Sequence, residues 1–245
     1  MATALPVAGI RAPSVPPCNK ARPVPVSPNF GERRDGLRPE FVVIHYTAME
    51  SCAAAHARLC DPAAEVSAHY LLDYDGATHT LVEEAVRAWH AGAGQWCGLD
   101  DLNSRSIGIE LANDGFEPFP EPQMAALEGL LSGIMARWSI PPQGVIGHSD
   151  MAPGRKSDPG ARFDWARLAR AGLSVWPQGT LEADPCGFVG FAQRFGYPDV
   201  PADDLLAAFR LRFRPAASGP VDPIDAGLAQ DLAGRFAIDR AAKGA

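Results

Sequence analysis

The sequence has no long apolar run, no excess of basic residues and no paired-cysteine motif. No stretch of its 245 residues approaches the ~18 apolar residues of a membrane-spanning helix. A net charge of −7 argues against nucleic acid as a partner, because binding phosphates needs a basic face. None of the five cysteines falls in a Cys-x-x-Cys pair, so the sequence indicates neither a disulfide framework nor a thiolate zinc site. The cysteines are Cys18, Cys52, Cys60, Cys97 and Cys186.

The N-terminus also lacks the features of an export signal. Residues 1–10 have no basic start and only a short apolar run before Arg11, unlike a secretory signal peptide. The residues that follow are rich in proline, which predicts irregular structure. We therefore predict a lead-in over residues 1–36 and a cytoplasmic location.

Apolar patterning predicts strands that alternate with helices. Residues 40–45 form a β-branched run typical of a buried central strand, and Asp75-Gly76 is a strong hairpin signal. Strands that alternate with helices indicate an α/β core. The other predicted elements are hairpin strands at 69–72 and 78–82, strands at 107–111 and 145–146, a helix at 53–59 capped by Ser51, a loop at 91–104, and a long helix from Pro122.

The composition changes near residues 176–179. Beyond this point three helices are predicted, at about 187–195, 203–213 and 222–240, which would make a small bundle that is stable when docked on a larger core. The predicted domains are therefore the lead-in at 1–36, a larger domain at 37–177 and a helical domain at 186–241. The arginines of the helical domain, Arg210, Arg212 and Arg214, could bind carboxylates or form a solvated face.

Three separated residues are candidate metal ligands. His45 ends an apolar strand, His148 follows a short strand, and Asp158 lies in a Lys-Ser-Asp-Pro-Gly turn. Two imidazoles and a carboxylate suit zinc and leave a fourth position for water. Each has a plainer alternative, since a strand-end histidine is often structural and Asp158 could cap its turn.

Two further residues carry the groups needed for amide hydrolysis. Glu110 ends an apolar strand, where an acid is unfavourable unless it is paired or functional. Lys156 is two residues from Asp158 and could face the same cleft or lie solvated in the loop. With zinc activating water, Glu110 would take a proton from it and later deliver one to the leaving amine. Lys156 or the metal would stabilise the oxyanion.

Five ordered motifs make the chain resemble a known enzyme family. They are His45-Tyr46-Thr47, Val66 to Tyr70, Ala88 to Gly92, Asn103 to Asn113, and His148 to Gly160. Together they resemble the zinc-dependent N-acetylmuramoyl-L-alanine amidases of type 2, over residues 38–176. Residues 194–197 and 208–215 resemble the helical peptidoglycan-binding domain of the two-domain members.

The resemblance implies a mixed central β-sheet flanked by helices, one zinc ion per chain and a catalytic role for five residues. It implies His45, His148 and Asp158 as zinc ligands, Glu110 as the general base and Lys156 as the oxyanion lysine. Where relatives often carry a second acid, this chain has Ala112, which puts some groove contacts in doubt. The residues that match positions near the substrate groove are Tyr46, His69, Trp89, His90 and Asn113.

The activity implied is hydrolysis of the amide between N-acetylmuramic acid, in intact or 1,6-anhydro form, and L-alanine. Peptidoglycan or muropeptides would be the substrate, in cell-wall turnover and recycling, and we expect a monomer. The alternative is a protein that binds peptidoglycan fragments without cutting them, although all three candidate ligands are present. The same motifs also occur in enzymes of the periplasm or cell envelope, so that location remains an alternative.

Overall fold

The computed structural model describes residues 27–178 and 182–237, and its centre is a five-stranded sheet. The strands are β2 (Phe41–Tyr46), β3 (Tyr70–Leu72), β4 (Thr78–Thr80), β6 (Ser106–Leu111) and β7 (Val145–Gly147). Their order in the sheet is β4-β3-β6-β2-β7. The predicted mixed sheet flanked by helices is confirmed, because β2, β3, β6 and β7 run parallel to one another while β4 is antiparallel to β3.

The two central strands explain the position of the candidate site. Residues Phe41 to His45 of β2 are all buried, as expected for a strand covered on both faces. In the register of β2 and β6, His45 is paired with Glu110, and β7 ends at Gly147 just before His148. All three strands are parallel, so their carboxyl ends meet at one edge, where α/β proteins bind ligands.

Helices cover both faces of the sheet. Helix α3 (Glu121–Trp138) packs its apolar face on one side, and its Pro122 lies in the first turn, where a missing N–H costs nothing. Helix α1 (Cys52–Leu59) begins as predicted, with the Ser51 hydroxyl accepting the N–H of Ala54 at 3.1 Å. The three remaining helices of this part are α2 (Leu102–Arg105), α4 (His148–Met151) and α5 (Trp165–Arg170). Sequence patterning missed all three, because they span at most two turns.

A second, two-stranded sheet connects residues 27–36 of the predicted lead-in to the rest of the protein. Strand β1 (Phe30–Gly31) pairs antiparallel with β5 (Arg87–Ala88). The Arg33 guanidinium donates to the carbonyls of Ser104 and Glu84. Residues 27–36 of the predicted lead-in therefore pack on the α/β core, and the rest of that prediction lies outside the described residues.

Glu84 links this region to the end of α3. Its carboxylate accepts hydrogen bonds from the Tyr70 hydroxyl, the Arg137 guanidinium and the Trp138 indole. Burial opposes ionisation, but these hydrogen bonds outweigh it and lower the pKa of Glu84 to about 2. The folded protein therefore favours the ionised carboxylate.

The three C-terminal helices occur where the sequence predicts them. They are α6 (Phe188–Phe195), α7 (Ala202–Phe213) and α8 (Pro223–Phe236). The predicted continuation of α8 to residue 240 is wrong at Ala237, whose backbone is not helical (φ −54°, ψ 127°), and residues 238–240 lie outside the described residues. Their apolar faces and those of β2 and β7 form one continuous cluster, with Phe209 of α7 and Val43 of β2 both fully buried. The domain boundary at 177–186 stays a prediction. No helix in the described residues is long and apolar enough to cross a membrane.

The arginines of α7 bind carboxylates of the protein itself. Arg212 is 2% exposed and Arg210 is 7% exposed, so they form no solvated face. Arg210 binds Asp225 within the helical part, whereas the Arg212 guanidinium donates to Asp150 of α4 at 2.6 Å. Asp150 lies two residues after His148, so this ion pair connects the C-terminal helices to the candidate site.

Candidate metal centre

Three ligand atoms meet at the carboxyl edge of the sheet. The Nδ1 atoms of His45 and His148 are 3.0 Å apart, and they lie 2.9 Å and 3.1 Å from Oδ2 of Asp158. Both imidazoles are buried, at 2% and 3% exposure. Zinc bonds of about 2.0–2.2 Å in tetrahedral geometry place ligand atoms roughly 3.3 Å apart. The spacing and the donor set therefore fit zinc.

The hydrogen bond at Nε2 of His148 determines which of its two ring nitrogens carries the proton. Nε2 lies 2.9 Å from the carbonyl oxygen of Ala91, and a carbonyl can only accept. Nε2–H must therefore donate, which leaves a lone pair on Nδ1. This is the arrangement that orients histidine ligands in metal sites.

A longer chain of hydrogen bonds fixes His45 in the same way. The Ser106 hydroxyl donates to the carbonyl of Leu102 at 2.5 Å, so it accepts from Nε2 of His90 at 3.2 Å. Nδ1 of His90 then accepts from Nε2–H of His45 at 3.0 Å. The Nδ1 atom of His45 is thus left with a lone pair. Two imidazole lone pairs and a carboxylate face one another, and a cation between them would resolve their repulsion.

His90 and His69 lie behind this layer and are neutral. His69 is fully buried, and its Nδ1 accepts the N–H of Gly108 at 2.9 Å while its Nε2–H donates to the carbonyl of Val86 at 3.2 Å. Burial and then the Arg33 charge lower the pKa of His69 to about 3. A Cβ at Gly108 would lie 2.4 Å from the His90 ring, so glycine permits this close packing.

Glu110 is the acidic group beside the three ligand atoms. Its Oε2 is buried and has no hydrogen-bond partner among the described residues. Burial and then the Asp158 charge raise the pKa of Glu110 to about 8, against an opposing effect of Lys156. Glu110 also lines the cavity described below, so this oxygen can contact a bound molecule.

A cavity of about 370 Å³ opens above these residues. Eight of the ten site residues predicted from the sequence line it, and His69 and Asn113 do not. The eight are the three candidate ligands His45, His148 and Asp158, together with Glu110, Lys156, Tyr46, Trp89 and His90. Lys156 is exposed on the loop that carries Asp158, which allows its ammonium to turn toward a bound molecule.

The two residues outside the cavity have structural contacts. His69 supports the strands as described above, and Asn113 is fully buried at the end of β6. The Asn113 side chain accepts the N–H of Gly115 at 2.7 Å and donates to the carbonyl of Glu117 at 3.2 Å. Their predicted contact with substrate stays a prediction.

Sequence patterning missed three residues near the site. Arg58 of α1 and Arg155 line the cavity, and the Arg155 guanidinium also donates to the carbonyl of Ala91 at 2.9 Å. Ser106 is fully buried behind His90. An arginine on a helix, an arginine in a loop and a serine at the start of a strand are common in any protein, so no local signal marked them.

Comparison with known proteins supports the resemblance seen in the sequence. A model of the N-acetylmuramoyl-L-alanine amidase family matches residues 35–161. The chain is 35% identical over 237 residues to the N-acetylmuramoyl-L-alanine amidase AmiD of Escherichia coli, a match that covers 82% of this chain and 85% of AmiD. It is 33% identical over 166 residues to the 1,6-anhydro-N-acetylmuramyl-L-alanine amidase AmpD of Citrobacter freundii, with 61% and 88% covered.

Two solved structures that contain muropeptides are also similar. AmiD from Escherichia coli, in complex with the substrate anhydro-N-acetylmuramic acid-L-Ala-D-gamma-Glu-L-Lys, gives a TM-score of 0.75 at 33% identity and covers 81% of this chain and 90% of that chain. AmpDh3 from Pseudomonas aeruginosa, in complex with anhydromuramic pentapeptide, gives 0.74 at 30% identity and covers 94% and 100%.

Proposed function

Since the chain belongs to the N-acetylmuramoyl-L-alanine amidase family, we propose that it hydrolyses the amide bond between N-acetylmuramic acid and L-alanine in muropeptides. The observation that carries this proposal is the triangle of ligand atoms from His45, His148 and Asp158 beside the unpaired carboxylate oxygen of Glu110. Two similar enzymes have been solved with anhydro-muramyl peptides. We therefore propose the anhydro form as the preferred substrate, in cell-wall recycling.

His45, His148 and Asp158 would hold one zinc ion. Zinc bound there would supply a Lewis acid that lowers the pKa of water and polarises the scissile carbonyl. The protein contributes the fixed orientation of the ligands. Ala91 orients His148, while His90 and Ser106 orient His45. In this proposal His90 is a positioning residue that also lines the cavity.

Glu110 and Lys156 would carry the proton and charge movements. The charge of a bound zinc ion would favour the ionised form of Glu110. The Glu110 carboxylate would then take a proton from the attacking water and deliver it to the amide nitrogen as the C–N bond breaks. The Lys156 ammonium turns toward the carbonyl oxygen and stabilises its negative charge. Tyr46 and Trp89 line the cavity and would contact the sugar and peptide of the substrate.

A binding protein without catalytic activity is the second candidate function. That function would need the cavity but no proton acceptor. Glu110 favours the enzyme, because its carboxyl group lines the cavity beside the candidate metal ligands, where it can exchange a proton with a bound molecule. The same residue allows the two functions to be separated by experiment.

The test is mass spectrometry of purified anhydro-muropeptides and intact sacculi after incubation with the protein, with and without a chelator. We expect free stem peptide, a higher rate on the anhydro form and loss of the product with chelator. Glu110→Gln should keep zinc and muropeptide binding but slow turnover by about 10²-fold or more. Glu117→Gln, an exposed acid in the following loop, is the matched control and should keep the rate.

Two outcomes would contradict the proposal. Binding of muropeptide without any released peptide would favour the binding protein. A near-normal rate in Glu110→Gln would remove this residue as the proton acceptor. A monomeric state, which light scattering can measure, and a cytoplasmic location remain predictions, as does a peptidoglycan-binding role of residues 186–241.

A further inference from the structure

A second cluster of metal-ligating side chains lies where α1 meets the β3–β4 hairpin. One ligand atom from each of Cys52, Asp73 and His79 lies within 4.8 Å of the other two. Cys52 is the first residue of α1, Asp73 follows β3, and His79 is the middle residue of β4. The three residues come from separate elements, so only the folded chain brings them together.

Two more donor groups extend the cluster on and directly after α1. His56 follows Cys52 by four residues on α1, which places both on one side of the helix, and Cys60 directly follows the last residue of α1. The rings of His56 and His79 have centroids 5.9 Å apart, and the Cys60 sulfur is 4.0 Å from Nε2 of His56. His56 is therefore a candidate fourth ligand on the same helix as Cys52.

The electrostatics of the cluster suit a cation. Burial, then Asp73 and Asp75, raise the pKa of the Cys52 thiol to about 12. The same carboxylates that oppose a thiolate would attract a divalent ion. Cys52 is 5% exposed, whereas Asp73 and His79 are only half-buried, so an ion can enter from the hairpin side.

We propose that Cys52, Asp73 and His79 form a second site for a divalent ion of intermediate softness such as Zn²⁺, with His56 as the fourth ligand. A thiolate, a carboxylate and imidazoles are all zinc ligands. Binding exchanges one proton for the ion, because the Cys52 S–H bond breaks, the proton leaves to solvent and the sulfur lone pair binds the metal. The ligand atoms must approach by roughly 1 Å to reach zinc bond lengths of about 2.0–2.3 Å.

The location of this site gives it a link to the cavity. Ala55, Arg58 and Leu59 of α1 line the cavity above the first metal centre, while Cys52 and His56 of the same helix belong to the second cluster. An ion bound between α1 and the hairpin would fix this wall of the cavity. The site itself does not depend on the proposed amidase activity.

Cobalt distinguishes the two sites by their ligands. The first centre has no sulfur ligand, so absorption from charge transfer between sulfur and Co²⁺ reports only on the second. We expect the metal-depleted full-length protein to bind two Co²⁺ per chain by native mass spectrometry, with sulfur–cobalt absorption developing as one equivalent binds. Zn²⁺ should displace this absorption, and each bound equivalent at the second site should release one proton.

Matched variants identify the ligands. Cys52→Ser should bind one Co²⁺ and lose the absorption, while Cys186→Ser, which removes an exposed thiol, should behave as the wild type. His79→Gln should weaken the second equivalent at least tenfold, and it tests the site independently if Cys52→Ser does not fold. His45→Ala should lose the first ion but keep the absorption.

The proposal is overturned if the wild type binds a single equivalent without sulfur–cobalt absorption. It is also overturned if the absorption survives in both Cys52→Ser and His79→Gln, or disappears in Cys186→Ser. Either of these two results with the variants would mean that another cysteine binds the cobalt.

Discussion

The buried ion pair between Arg212 and Asp150 predicts that the candidate site depends on the C-terminal helices. Arg212 lies on α7 and Asp150 on α4, and they are 2% and 0% exposed. Replacing Arg212 with Met keeps a long apolar side chain but removes the guanidinium. The Asp150 carboxylate would then stay buried with the Tyr197 hydroxyl and the Gly147 N–H as its remaining donors.

The expected loss of stability is large. Removing one partner of a buried ion pair costs about 3–5 kcal/mol, because the remaining charge is uncompensated. For a chain of roughly 150–250 residues, 1 kcal/mol lowers Tm by about 2–4 °C. We therefore expect Arg212→Met to lower Tm by roughly 6–20 °C. Zinc affinity should fall as well, because Asp150 holds the Gly147 N–H directly before the ligand His148.

Calorimetry and denaturant unfolding measure the stability change, and competition with a chromogenic chelator measures the zinc affinity. Arg235→Met is the matched control in the same helical segment. The side chain of Arg235 is 33% exposed and pairs with Asp231 at i,i+4, an interaction worth about 0.3–0.5 kcal/mol. We expect this control to change Tm by no more than about 2 °C.

A third variant distinguishes the loss of the ion-pair contact from the effect of leaving the Asp150 charge without its partner. Asp150→Asn in the Arg212→Met background removes the charge, so this double variant should be more stable than Arg212→Met alone. If Arg212→Met is no less stable than Arg235→Met, the ion pair does not contribute as reasoned. If the double variant is less stable than the single one, the uncompensated charge is not the cause.

Three further predictions concern other parts of the structure. Ser106→Ala should weaken zinc binding through a misoriented His45, but by less than the about 10–100-fold typical of groups bonded directly to a histidine ligand, because Ser106 acts through His90; chelator competition measures it. Gly196→Ala should lower Tm, because φ is +147° and a Cβ would lie 2.7 Å from the Trp96 ring, whereas Gly190→Ala, which meets nothing within 4 Å, should not. The pKa of Glu84 falls from 4.5 to about 2 on folding, so the stability advantage of the wild type over Glu84→Gln should be complete above pH 4.5 and disappear as the pH falls toward 2 in unfolding experiments.

The sheet and the first layer of the site could be predicted because local patterns specify them. The β-branched run before His45 and the apolar run before Glu110 each predict a buried strand that ends in a functional residue. Parallel pairing then places the two ends together, and the structure pairs His45 with Glu110. The Asp75-Gly76 turn and the helix cap at Ser51 are also specified by a few neighbouring residues, and both occur as predicted.

The contacts behind the site could not be predicted, because they join common residue types over long separations. The His90 side chain orients His45 across forty-five positions, through a hydrogen bond that its sequence motif does not reveal. Cys52 and His79 belong to no spacing motif, since a helix and a hairpin bring them together. The absence of Cys-x-x-Cys pairs excludes only sites built within one loop.

The ion pair of Arg212 is another long-range contact that the sequence could not predict, and it changes the role of the C-terminal helices. An arginine on an amphipathic helix ordinarily predicts a solvated face, because burying its charge alone is unfavourable. Here the compensating carboxylate is sixty-two positions earlier, in the turn that carries His148. The Tyr197 hydroxyl donates to the same carboxylate at 2.6 Å, and Tyr197 also lies beyond the predicted boundary. The helical segment therefore supplies two of the donors that hold α4 in place. We infer that the geometry of the candidate metal ligands depends on this segment, although none of its described residues belongs to the candidate ligand set.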